Sequence, residues 1–262
     1  MIEIDGSEAG GQILRSAISL SALTEKPFKI INIRGKREKG GLKHQHLAAV
    51  DAVAKICNAE VKGNSLGSTR LEFKPNGIQA GRYRFTISTA GSALLVLQTL
   101  IPILLKAKEK SIIRIGGGTD NPQAPGSFYF KNVFCDFLKK LGIEFEFNIL
   151  RHGFYPKGGG LVELKINSLN ELNEINFVER GNLEKVEISA IATNDLLNKN
   201  VAQRMIDGFK LNFDSNIDVN AKTYYVSSLS TGCFIHGSVN YSNFKVGDDV
   251  LGEIKKISED LG

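Results

Sequence analysis

Apolar and polar positions alternate at the start of the chain, Ile2 and Ile4 against Glu3 and Asp5, and predict a short half-buried strand. The period then lengthens. Ile13, Leu14, Ile18, Leu20 and Leu23 supply one broad apolar face, so a helix is expected over residues 12–23 after a glycine-rich turn at residues 6–11. Residues 28–33, with Ile30, Ile31 and Ile33, read as a strand. Leu47, Val50, Val53, Ala54 and Cys57 then recur at helical spacing, with Asn58 as the stop. Short strands at residues 60–62 and 70–73 close the unit.

That order returns. Residues 83–87 read as a strand, 93–105 as a helix opened by Gly91-Ser92, 111–115 as a strand, 127–141 as a helix, and 143–150 and 160–166 as strands. Local matches support the repeat: Ile30-Ile31-Asn32-Ile33-Arg34-Gly35 against Ile112-Ile113-Arg114-Ile115-Gly116-Gly117. Self-similarity of this kind marks one supersecondary unit used more than once. The predicted class is α/β (α+β): tandem βαβαββ repeats with both helices on one face of each sheet, so that helix layers bury one another. From about Glu179 the texture changes and asparagine becomes frequent. A strand at 185–193, a helix near 198–211 and strands near 217–220 and 234–241 predict a smaller α/β domain. The expected division is a core over residues 1–178, with repeats of about 1–80 and 81–178, and a small domain over residues 179–262. Lacking any glycine–arginine loop, the small domain reads as structural or as a substrate clamp.

Composition bounds the chemistry. With 262 residues, 42% hydrophobic and 23% charged, the chain has enough apolar material for one large or two smaller domains. A formal net charge of +5 is mildly basic, which permits a nucleic-acid partner without demanding one. Cys57, Cys135 and Cys233 are far apart, odd in number and set among apolar neighbours. They read as buried thiols in a reducing compartment, not as a disulfide frame or a zinc site. No signal-peptide pattern opens the sequence and no apolar run is long enough to span a bilayer, so a soluble, cytoplasmic protein is expected.

The candidate chemistry lies in three glycine-rich loops. The first, residues 34–46, carries Arg34, Lys36, Arg37, Lys39 and Lys43 with Gly35, Gly40 and Gly41. Forked and point-charge donors crowded this closely call for a negative partner. An isolated charge run nonetheless more often faces solvent. The second, residues 116–126, holds three successive glycines and two prolines. The third, residues 151–160, is long and aromatic for a hairpin connection. Three such loops together shift the reading toward a shared ligand-binding rim. Backbone amides at the start of the first helix can hold phosphate, with Glu8 placed for a metal ion riding on it and Arg15 one turn further in. A plain helix start with an acidic residue near the dipole is the simpler account of Glu8.

These loops resemble the RNA 3′-terminal phosphate cyclase family. The runs that carry the resemblance are Gly11-Gln12-Ile13-Leu14-Arg15-Ser16, Ile33-Arg34 through Arg37 to Gly41-Leu42, and Gln45-His46-Leu47. Gly117-Gly118-Thr119-Asp120-Asn121-Pro122 and Arg151-His152-Gly153-Phe154-Tyr155-Pro156 are the most specific. The likeness weakens after about Leu196 and returns faintly at residues 246–252. Ala9, Lys36 and Gly40 depart from the family's pattern. The resemblance implies an ATP-dependent ligase-class enzyme that converts an RNA 3′-phosphate into a 2′,3′-cyclic phosphate, through an adenylylated histidine and then adenylylated RNA. By matching position, Glu8 holds a divalent metal (Mg or Mn), Arg15, Arg34, Arg37 and Gln45 grip phosphates, and Gln98 and Pro125 lie by the adenosine. These residues are expected to converge on one cleft.

The family's nucleophilic histidine lies in a further core repeat after the inserted domain, and that repeat is absent from this sequence. His44, His46, His152 and His236 stand elsewhere. The 262-residue chain alone is therefore expected not to form the AMP adduct. Two other readings compete: an enolpyruvyl transferase, also repeat-built around a basic cleft, and a catalytically inactive cyclase-like RNA-binding assembly factor. The Thr119-Asp120-Asn121-Pro122 run argues against the first, and retention of Glu8, Arg15, Arg34, Arg37 and Gln98 against the second.

Overall fold

Two units built to the same plan account for the chain up to Ile166. In the first, β1 (Ile2–Asp5), α1 (Gly11–Thr24), β2 (Phe28–Ile31), α2 (His44–Ile56), β3 (Glu60–Lys62) and β4 (Leu71–Lys74) form a sheet of order β1-β2-β4-β3. In the second, β5 (Arg82–Thr86), α3 (Ala93–Leu105), β6 (Ser111–Gly117), the helical segment α4 (Ser127–Lys140), β7 (Phe145–Arg151) and β8 (Gly160–Ile166) give the order β5-β6-β8-β7. Each sheet has one parallel pair, β1 with β2 and β5 with β6, followed by two antiparallel pairs. The repeat read from the pattern is thus a repeat of topology. This computed structural model describes residues 1–8, 10–169, 171–213 and 218–253. Ala9, and Ile217 at the start of a predicted strand, lie outside the described residues.

Helices form where the apolar spacing placed them and stop for local reasons. Asn58 takes a φ of +47° just after α2, a left-handed conformation that asparagine tolerates. Ser92 caps α3, its hydroxyl accepting from the Leu95 amide at 3.2 Å. The helix is apolar nearly all round because it is buried on every side: it packs on β6 and β8 and against both α1 and α2. Leu14, Ile18, Val50, Val53, Leu97, Leu100 and Leu104 therefore belong to one core shared by the two units.

The helix expected over 127–141 is not regular. Here α4 runs Ser127–Tyr129, passes through a π-helical turn at Phe130–Phe134 and continues over Cys135–Lys140. Phe130 and Phe134 share one face, their ring centroids 4.9 Å apart, while Phe128 points to the other side; the wider turn begins just after Phe128. Phe130 is fully buried and packs against Phe147 of β7 with ring centroids 4.8 Å apart, while Phe128 packs at 5.6 Å on Phe234 in the last sheet.

That last sheet is built from β9 (Leu183–Thr193), β10 (Val219–Val226), β11 (Cys233–Tyr241) and β12 (Lys245–Leu251), in the order β10-β9-β11-β12. A 3-10 turn (Asn194–Lys199) and α5 (Val201–Asn212) join β9 to its parallel neighbour β10. It has a core of its own, including Val186, Ile188, Met205 and Ile206. A separate apolar cluster of Phe154, Ile191 and Phe234, with Phe128 against it, ties this sheet to the second repeat. Sequence pattern missed β12, whose alternation is carried by Val246, Asp248 and Val250, all on an exposed face. Cys57 and Cys135 are buried and Cys233 half-buried, and all three are free thiols. No helix among the described residues is long and apolar enough to cross a membrane.

Candidate functional site

The loops that leave the carboxyl ends of the parallel strands meet at one place, where open α/β sheets characteristically bind ligands. They enclose a cleft of about 820 Å³. Its walls are Gly10 and Gly11 at the start of α1, Arg34 and Arg37 of the basic loop, and Gln45 and His46 at the start of α2. Residues 89–92 before α3, residues 121–124, and Tyr155 with Pro156 complete it. The first turns of three helices thus face one cavity, bringing the positive ends of their dipoles. Among the described residues no carboxylate lines it. The cleft is therefore electropositive and suited to an anion.

Each polar wall residue has a defined state. Arg37 is exposed and makes no ion pair among the described residues. Arg34 sits at a φ of +56° and turns back, its Nη1 donating to the Lys39 and Gly41 carbonyls at 2.9 and 3.0 Å. It holds the basic loop in shape as well as lining the cleft, and burial, then the neighbouring Arg37 charge, pulls its pKa down. Gln45 Oε1 accepts the Ser92 amide at 2.7 Å, which joins the two repeats and leaves its Nε2 without that duty. His46 Nδ1 accepts the Lys43 amide at 3.0 Å. Burial first, then the charges of Arg34, Arg15 and Lys43, lower the His46 pKa to about 4. The ring is neutral near pH 7, and because Nδ1 is an acceptor, the proton resides on Nε2. That atom faces Gly11 so closely that a Cβ there would overlap it. Asn121 donates from Nδ2 to the Ala90 carbonyl at 2.5 Å, while its Oδ1 is buried with no partner.

The structure brings together Arg34, Arg37 and Gln45 of the residues singled out in the sequence. Arg15 lies next door: its Nη2 donates to Gln12 Oε1 at 2.5 Å and its Nη1 comes close to Gly11. Arg15 and Gln98 line a separate groove of about 320 Å³ between α1 and α3. Glu8 is exposed and ion-paired with Lys36 at 2.5 Å, lining neither cavity. Pro125 follows the lining segment without joining it. His46, Asn121 and residues 89–92 line the cleft although they were absent from the expected set. His46 and Asn121 do sit inside the motifs themselves, but the turn at 89–92 carries no composition signal. Among the described residues no group of three His, Cys, Asp or Glu side chains is placed to hold a metal ion.

Behind the cleft, one carboxylate ties the second loop to the third. Asp120 is 1% exposed. Its Oδ1 accepts the Ser127 amide at 2.8 Å and the Ser127 hydroxyl at 2.7 Å, and its Oδ2 accepts the Thr119 hydroxyl at 2.7 Å and lies 2.9 Å from His152 Nδ1. Thr119 Oγ1 in turn accepts the Gly153 amide at 2.9 Å. His152 is thereby a structural histidine of the loop scaffold, while His46 belongs to the wall.

Repeated βαβαββ units with a carboxylate-free, glycine-lined cleft at the carboxyl ends of their parallel strands define an anion-binding α/β protein. The model of the RNA 3′-terminal phosphate cyclase family matches residues 6–247, a range covering the first repeat after β1, the second repeat and most of the last sheet. The chain belongs to that family.

Proposed function

We propose that the cleft binds ATP and the 3′-phosphate end of an RNA, and that the protein serves ATP-dependent conversion of that phosphate to a 2′,3′-cyclic phosphate in RNA processing. The observation that carries this reading is the meeting of Arg34, Arg37, Gln45 and three helix starts in a cleft without a carboxylate. Its volume falls within the roughly 300–1,000 Å³ of small-molecule sites.

The residues present fit a nucleotide. Arg37 is free to take a phosphate as a charge-assisted fork, and Arg34 offers the guanidinium face left over from its loop contacts. Gln45 Nε2 and the neutral Nε2–H of His46 donate hydrogen bonds without adding charge. The orphaned Asn121 Oδ1 suits a hydroxyl or amino donor of the ligand. Bound ATP supplies an activated adenylyl group, and the cationic wall holds its phosphates in line for transfer. Arg15 is the proposed second-rank phosphate contact beside Gly11, and Gln98 and Pro125 are proposed to lie by the adenosine beyond the cleft wall. A divalent metal (Mg or Mn) held mainly by phosphate oxygens needs only one or two carboxylates. Glu8 can provide one by leaving Lys36. The chain is read as a two-repeat core joined at about residue 179 to a smaller inserted domain, working on RNA in the cytoplasm.

Calorimetric titration with ATP and magnesium tests the proposal. Arg37→Ala removes a hydrogen bond to a charged group, worth about 1.5–3 kcal/mol, and affinity should fall at least about tenfold. Affinity indifferent to this change would leave the basic loop a solvated turn and remove the nucleotide from the cleft.

A further inference from the structure

A second pocket opens on the far side of Phe128, where the start of α4 meets the last sheet. It encloses about 250 Å³. His236, on β11, is 1% exposed; its Nδ1 lies 2.6 Å from Asp249 Oδ1, and its Nε2 has no hydrogen-bond partner. Asp249 also accepts the Tyr129 amide through Oδ2 at 3.2 Å, so α4 and β12 hold the ring from two sides. Lys131 of α4 and Lys222 of β10 line the same pocket, exposed, and neither makes an ion pair among the described residues. Glu187, the one carboxylate in the lining among the described residues, is already engaged by Lys185 at 2.7 Å and Lys245 at 3.4 Å. The charge left uncompensated is therefore positive. Phe128 and Tyr224, with ring centroids 5.6 Å apart, make an aromatic wall.

We propose that this pocket binds the phosphorylated ribose of a ribonucleotide, at a site separate from the cleft. Two ammonium groups act as point charges for the phosphate. With Nδ1–H donated to Asp249, the Nε2 of His236 carries a lone pair, and a ribose hydroxyl is the donor that satisfies it. The pocket is below the size of whole small-molecule sites, so it takes the phosphate and sugar and leaves the base outside, against Tyr224. The hydroxyl contact selects ribose over deoxyribose. The same chemistry is offered by a free ribonucleotide or by an internal unit of an RNA strand.

The test is a titration of the 262-residue protein observed through its imidazole ¹⁵N resonances, with that of His236 assigned by its loss in His236→Gln. One arm uses 5′-AMP, and another a short oligoribonucleotide ending in a 3′-hydroxyl. Their deoxyribose counterparts form the control arms. The His236 resonance is expected to shift, with Lys131→Ala and Lys222→Ala each weakening the response about tenfold. Saturation by AMP identifies a free ribonucleotide as the source, and a response to the oligoribonucleotide alone identifies a strand. Arg37→Ala, which strikes the cleft, should leave these titrations unchanged, so failure of the cleft reading and of this one are distinguishable. No shift with either ribose ligand overturns the proposal, as does a shift that survives both lysine changes or is equal for the deoxyribose ligands.

Discussion

Replacing His46 by asparagine should remove a defined pH dependence from stability. The buried ring, 8% exposed, titrates at about 4 in the folded chain against an ordinary 6.5. The difference, 6.5 − 4, is about 2.5 pKa units, or roughly 3 kcal/mol at 1.36 kcal/mol per unit. The folded pKa is the lower one, so between pH 6.5 and 4 the unfolded chain binds more protons, and stability falls as pH drops through that window. Above about pH 7 the ring is neutral in both states and contributes no slope. Asparagine keeps an acceptor for the Lys43 amide and does not titrate. Urea denaturation of both proteins from pH 4 to 7.5 measures the effect, and their difference cancels carboxylates such as Asp51, whose pKa burial raises. The wild type should lose up to about 3 kcal/mol more than the variant on acidification, steepest near pH 5. A difference flat across this range would refute the buried neutral tautomer and with it the His46 Nε2–H donor in the cleft.

Other substitutions probe the scaffold. Gly11→Ala places a methyl on the His46 ring, which a hydrogen bond holds in place, and should cost about 1–3 kcal/mol by urea denaturation. Gly10→Ala meets only the end of Arg37 at 3.6 Å and should be tolerated. Asp120→Ala strips acceptors from Ser127, Thr119 and His152 and should cost at least about 3 kcal/mol, with Asp120→Asn milder because it keeps an oxygen for the Ser127 amide. Incubation with ATP and magnesium should leave His44, His46, His152 and His236 free of AMP by mass spectrometry. His46 has its Nδ1 lone pair engaged and its Nε2 protonated, and His44, His152 and His236 lie outside the lining of the proposed ATP cleft.

Much of the scaffold was legible in the chain because it depends on local periodicity. Ile13, Leu14 and Ile18 mark one helix face, and strands 60–62 and 160–166 fall where alternation put them. The doubled order of elements carried the repeat, since identical element orders bury their apolar faces in the same way. The π turn in α4 was invisible because Phe128 packs on the last sheet and Phe130 on β7, two sheets that no local pattern brings together. β12 was missed for a related reason: Val246 and Val250 are on an exposed face, and only pairing with β11 makes it a strand.

The sequence by itself determined which residue types were available for an anion: the glycines, Arg34, Arg37 and Gln45 sit in or beside a basic, glycine-rich run suited to a negative partner. Tertiary structure alone decided which of them meet. Arg15 and Gln98 are directed into the α1–α3 groove by the packing of those helices, Glu8 is held by Lys36, and Arg34 is partly spent on its own loop. His46 acquires its neutral state only there, because desolvation and surrounding charge are properties of the folded chain and leave no mark on local sequence.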